Sequence, residues 1–131
     1  MGEINLLAVF LGAAAFFVVG WIWYGLLFSK VWQREVGVPE PEDRRSAPLL
    51  FGLCFFFELL IAVMLGHMFA RLNPPPHVMM MMAVGTGAAI MVPAMGINYL
   101  FQRRSGTLFA IDAGHFILGM AAMGGVFVAL R

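Results

Sequence analysis

The sequence predicts an all-α polytopic membrane protein of four transmembrane helices in an up-down bundle, and three observations predict it. Hydrophobic residues make up 62% of the 131 positions and charged residues only 11%, against roughly 45–50% apolar and about 25% charged in a soluble domain. Four apolar segments, at 4–28, 47–70, 78–101 and 108–130, each supply the ~20 residues that cross a ~30 Å hydrocarbon layer as helix. Backbone polar groups in lipid must be satisfied internally, which leaves helices or a closed barrel, and these lengths select helices. The mean hydropathy of +0.90 agrees.

The first segment follows "MGE", which holds Glu3 and no Lys or Arg, and is too long for a signal-peptide core. It is expected to be retained. An interfacial extension, "SKVWQREV", continues it until Gly37 and Pro39 end the helix. Ser46 is placed to cap the second helix, with Pro48 tolerated in its first turn. "NPPP" at 73–76 stops that helix, and "QRRSGT" at 102–107 turns the third into the fourth. Inside the third, Pro93 lacks a backbone donor and frees the Ala89 carbonyl, which predicts a kink. No connection is long enough to separate domains, so residues 1–131 read as one transmembrane domain.

Several function classes drop out on composition. A lone cysteine, Cys54, excludes an internal disulfide and any CxxC motif. A net charge of +1 without a basic arm gives no footprint for nucleic acid. No nucleophile–base pair or metal-ligand set is evident, so neither an enzyme nor a cofactor is expected. Orientation follows Lys and Arg. Lys30, Arg34, Arg44, Arg45, Arg103 and Arg104 flank the first and third connections, against Arg71 and Arg131 on the other side. Both termini are therefore expected outside. Trp21, Trp23, Tyr24 and Trp32 cluster at the cytoplasmic end of the first helix, as an interfacial aromatic belt would.

Two blocks carry a resemblance. "GWIWYGLLFSKVW" at 20–32 resembles a Gly-x-x-Trp-Tyr-x-x-x-Phe-x-Lys-x-Trp signature, and "NYLFQRRSGTLFAIDAGHFILGMAAMGG" at 98–125 resembles the last hairpin of the same family. That family of small bacterial membrane proteins is known as domain of unknown function 1761. The resemblance implies a four-helix integral protein of the bacterial inner membrane and brings no activity with it. Glu58 lies outside both blocks.

Ionisable groups inside a membrane are functional candidates, because one at mid-helix costs about 2.5–3.5 kcal/mol even on lenient insertion scales. Here they are Glu58 and His67 on the second helix and Asp112 and His115 on the fourth, with the amide of Asn98 on the third. At 1.5 Å per residue, Asn98 and Asp112 lie ~5–6 Å from the cytoplasmic helix ends, His115 ~10 Å and Glu58 ~16 Å. They make a ladder from that face toward the midplane. Cys54, Glu58, Ala62, Gly66 and Ala70 form one small or polar stripe, which turns Glu58 into a helix interface. Gly119 and Ala122 continue the His115 face, and Gly85, Ala89 and Gly96 give the third helix its small surfaces.

Each candidate has a structural reading beside the functional one. Asp112 and His115, three apart on one face, form a hydrogen-bonded pair with Asn98 in the same layer. Glu58 is neutral and bonded to a backbone carbonyl or a symmetry mate, or else it serves proton- or cation-linked translocation. His67 and His77, with the methionines at 79–82, are the weak metal candidates, as soft ligands for Cu(I), against simple apolar filling. Two functions follow: a self-associating carrier or channel centred on Glu58, or a non-catalytic subunit packing against a larger membrane complex. The lipid bilayer and a second copy of the chain are the expected partners.

Overall fold

The computed structural model describes residues 3–36 and 47–131. The stop at Gly37 and Pro39, the Ser46 cap and the charged loop with Arg44 and Arg45 lie outside them. Helix α1 (Leu6–Trp21) begins at Asn5, whose side chain accepts the Ala8 N–H at 3.1 Å. The same amide donates to the Leu130 carbonyl at 3.0 Å. One residue thus caps the first span and pins it to the end of the last.

The helix then widens without breaking into a π-helical stretch, Ile22–Leu27, closed by the Phe28 N–H on the Trp23 carbonyl at 2.9 Å. At Phe28 the backbone leaves helical geometry, and α2 (Ser29–Val36) departs as a short polar-faced extension. Helix α3 (Ala47–Leu72) runs unbroken to Asn73, which closes it in the left-handed region at φ 44°. Asparagine visits that region at little cost.

Helix α4 (Pro76–Thr86) starts earlier than 78, since proline in a first turn loses no bond that the turn would have made. It passes through a second π-helical stretch, Gly87–Met91, into α5 (Val92–Phe101). The Val92 N–H bonds the Gly87 carbonyl across that stretch, directly before Pro93. The expected disturbance takes the form of a π-turn directly before the proline. Arg103 (φ 55°) ends the span, and the Arg104 N–H reaches back to the Tyr99 carbonyl at 3.0 Å. Ser105 caps α6 (Gly106–Ala129) through the Leu108 N–H at 3.0 Å.

Among the described residues, four helices are long and apolar enough to cross a membrane: Leu6–Leu27, Pro48–Leu72, Pro76–Phe101 and Gly106–Ala129. The protein is an all-α, polytopic chain. In space the spans run in the order second, first, fourth, third. The first packs on both the second and the fourth, and the third packs on the fourth alone. Among the described residues the second and third spans, though consecutive, make at most marginal contact, so that side of the bundle is unclosed.

Close approach is set by glycine. A Cβ on Gly119 would fall 2.7 Å from the Phe16 ring, and one on Gly124 would fall 2.6 Å from the Ala83 Cβ. Phe16, Met120, Met123 and Phe127 fill the resulting core. Met79 belongs to that core too, so part of the methionine run is packing. On the third span the small face is Ala83, Gly87 and Gly96; Gly85 meets nothing within 4 Å and Ala89 is exposed, unlike the expected stripe. The expectation assumed one uniform helical period, and the π-turn at 87–91 changes the phase.

Candidate functional site

The two sequence blocks meet face to face. Gly20, Trp23 and Tyr24 are spaced three and four apart, hence on one face of the first span. On the fourth span they find Asp112, Gly114 and His115. The Gly20 backbone lies so close that a Cβ there would be 2.9 Å from Nε2 of His115. The Trp23 ring covers Gly114, where a Cβ would fall 2.8 Å from Cζ2, and its Nε1 donates to the Ile111 carbonyl at 2.9 Å. The Tyr24 hydroxyl donates to Oδ1 of Asp112. Phe28 then lies tilted against Trp23 at 4.6 Å and Trp32 meets Tyr24 edge-on at 5.8 Å. The first-span signature is thus a docking surface for the fourth.

Asp112 is buried, at 6% exposure, and both its oxygens are used. Oδ1 accepts from Tyr24 and Oδ2 from Tyr99, which joins three spans at one carboxyl. The expected pairing with His115 is absent, and Asn98, placed by the sequence in the same layer, is exposed. The hydroxyl of its neighbour Tyr99 takes that place, a step of one residue around the helix. Two tyrosine donors satisfy the carboxyl more fully than one imidazole N–H could.

His115 is left to aromatic company. Its ring meets Phe16, Tyr24 and Phe116 at centroid distances of 5.2, 4.8 and 4.9 Å. It is 8% exposed, and neither Nδ1 nor Nε2 has a hydrogen-bond partner. Glu58, from the second span, is 9% exposed, and its Oε2 is also unpartnered. Both line one cavity of about 290 Å³ between the first, second and fourth spans. The remaining wall is apolar or aromatic: Phe17, Gly20, Trp21, Tyr24 and Phe51, with Cys54 one turn from Glu58. Buried polar atoms are nearly always paired, so three unpartnered atoms on two residues that line one cavity mark a candidate site for a proton, a cation or a hydrogen-bonding ligand.

Other candidates fall elsewhere. Trp21 is exposed, as an interfacial residue would be, but Trp23 and Tyr24 turn inward to the fourth span. The belt reading is corrected for those two, because an indole N–H or phenol hydroxyl serves a buried carbonyl or carboxylate as readily as a lipid headgroup. His67 and His77 are both exposed, and among the described residues no three His, Cys, Asp or Glu side chains converge. A larger cavity of about 500 Å³ lies near the termini, floored by Phe69, Met79 and Phe127 and edged by Glu3, Arg71 and Arg131. It contains none of the buried unpartnered atoms, so the smaller cavity is the candidate site.

Comparison with curated proteins and with solved structures finds no match. A family model described as Protein of unknown function (DUF1761) matches residues 7–128, which takes in both blocks, every residue of the site and all four spans but for one residue at each outer end. The chain belongs to that family.

Proposed function

We propose that the protein is a small carrier or channel of the bacterial inner membrane in which translocation is linked to protonation of Glu58. One observation carries this reading: Glu58 and His115, on different helices and each about nine-tenths buried, line a single cavity, and their Oε2, Nδ1 and Nε2 are buried without partners. A purely structural carboxyl at this depth is expected to hold a donor or acceptor, since leaving one unmade costs about 1–3 kcal/mol. Asp112 in the same molecule does so, through two tyrosines. Glu58 is the exception, and it is kept open.

In this reading Glu58 without a bound cation is a neutral acid, because an unpaired buried charge is far costlier than an unpaired buried dipole. Uptake of a cation, or access to water, draws the proton away. The Lys and Arg balance puts the Tyr24–Asp112–Tyr99 layer on the cytoplasmic side and both termini outside. That layer closes the cavity toward the cytoplasm, and Tyr24, common to both, is the gate residue. The unclosed side between the second and third spans supports self-association.

Proteoliposomes with an imposed pH or cation gradient test the reading. Wild type is expected to carry flux, and Glu58→Gln to insert, fold and lose it. Equal flux from the two, above protein-free liposomes, or none from either, would contradict it. The same unclosed side also favours the subunit reading, which copurification decides: a stoichiometric foreign chain supports it, and a pure homo-oligomer supports the carrier.

A further inference from the structure

We propose that the cavity between the first, second and fourth spans takes a small lipophilic organic cation, which enters sideways from the hydrocarbon and sets its charged nitrogen against Glu58. The proposal rests on the reading of Glu58 as a working group and adds the substrate class. Four features of the cavity carry it.

The first is access. Of the wall residues, Trp21, Gly25, Phe51 and Cys54 are exposed, and they belong to the first and second spans. The mouth therefore opens between those spans into the lipid phase, where a ligand must be soluble in hydrocarbon to arrive. Next is the wall itself. Phe17, Trp21, Tyr24 and Phe51 present aromatic rings, and ring faces attract cations that have shed their water. Ammonium groups bearing carbon substituents, being weakly hydrated, meet both conditions.

The third feature is charge. Among the described residues Glu58 is the only carboxyl in the wall, and no Lys or Arg lines the cavity. Among these residues an anionic ligand would meet no counter-charge, while a cation meets a carboxyl whose Oε2 has no hydrogen-bond partner. Last is size. About 290 Å³ is at the small end of ligand pockets, which run roughly 300–1,000 Å³. A monocation with one ring or a few alkyl arms fits, and a large polycyclic dye does not.

Binding then exchanges one charge for another. The carboxylic acid of Glu58 releases its proton, which leaves to water, and the cation takes the proton's place beside the carboxylate. The groups facing Glu58 are Cys54 from its own helix, Tyr24 from the first span and His115 from the fourth, with Asp112 behind Tyr24. A proton on His115 would repel the cation, so both groups act in one direction. Cation affinity is expected to rise with pH, by up to ~tenfold per unit while one proton is displaced.

The test uses the full chain in phosphatidylcholine nanodiscs, followed by tryptophan fluorescence, since Trp21 stands at the mouth. Benzyltrimethylammonium is titrated beside neopentylbenzene, its uncharged carbon isostere, and phenylmethanesulfonate, an anion with the same ring. The expected result is saturable binding of the cation at least ~tenfold tighter than its isostere at pH 8, weakening as pH falls, with no binding of the sulfonate. Glu58→Gln is expected to remove the cation's advantage and its pH dependence, leaving the isostere unchanged. If that variant does not fold, the comparison of the two isosteres on the native chain decides alone. Isosteres of equal affinity, or a cation unaffected by Glu58→Gln, would overturn the proposal. Glu58-dependent proton flux that persists alongside such a failure would leave the translocation reading standing, and loss of both would remove the site.

Discussion

The hydroxyl of Tyr24 donates to the carboxyl of Asp112, and that bond ties the first span to the fourth directly beneath the Glu58–His115 cavity. Because Tyr99 occupies the other oxygen, Asp112 gathers the first, third and fourth spans at one point. Everything proposed for the cavity depends on this layer holding its shape.

Tyr24→Phe leaves Oδ1 of Asp112 without its donor while keeping the ring against His115. A loss of about 1–3 kcal/mol in stability is expected, the usual cost of an unsatisfied buried acceptor. Tyr99→Phe should act similarly, and the double variant should depart from additivity because both donors serve one carboxyl. Unfolding by steric trapping in bicelles measures the three. Unchanged stability in both single variants would mean that the layer is not structural.

Glycine positions on the fourth span provide a paired test of packing. Gly119→Ala drives a methyl to 2.7 Å from the buried Phe16 ring, whereas Gly125→Ala meets nothing within 4 Å. The first is expected to cost about 1–3 kcal/mol through overpacking. The second is expected to be neutral or slightly stabilising, as alanine replaces glycine in a helix. Thermal unfolding in detergent separates them, and equal effects would contradict the packing described.

Much of the fold was legible because membrane solvent imposes simple rules. Apolar length located four spans, and the lone charge among Phe55–Phe57 and Leu59–Ile61 drew attention to Glu58. Both motif blocks were visible, but their meeting was not, since Tyr24 and Asp112 are 88 residues apart in sequence. Trp23 and Tyr24 fit an interfacial belt in sequence because an amphipathic ring suits either a headgroup or a buried acceptor. Donor counting could have found Tyr99, for a buried carboxyl with two oxygens wants two donors and Asn98 sits one step off that face. Both π-turns escaped, because backbone widening leaves no mark in hydrophobic periodicity.

The Lys and Arg asymmetry predicts that both termini lie outside. In a Cys54-free background, a cysteine at Pro75 is expected to react with an impermeant maleimide on intact cells, and one at Glu40 only after lysis. Labelling of position 40 from outside would reverse the topology and place the Asp112 layer on the outer side.

Gly20→Ala should disturb the site more than the fold. The added methyl would press on Nε2 of His115 at 2.9 Å, and Gly20 also lines the cavity. Flux or cation binding is expected to fall several-fold, about 1 kcal/mol by the usual conversion of ~1.4 kcal/mol per tenfold, with the oligomeric state unchanged. Full activity in a well-folded variant would place His115 outside the working site.

The protonation of Glu58 is the most direct measure of whether the cavity is a working site. Infrared difference spectra of wild type minus Glu58→Gln, in nanodiscs across a pH series, isolate its carboxyl band. A protonated-acid band that is present at pH 7 and disappears reversibly when benzyltrimethylammonium is added is the result expected of an open, buried carboxyl. Carboxylate bands alone at pH 7, as a solvated glutamate with a reference pKa of about 4.3 would give, would contradict it.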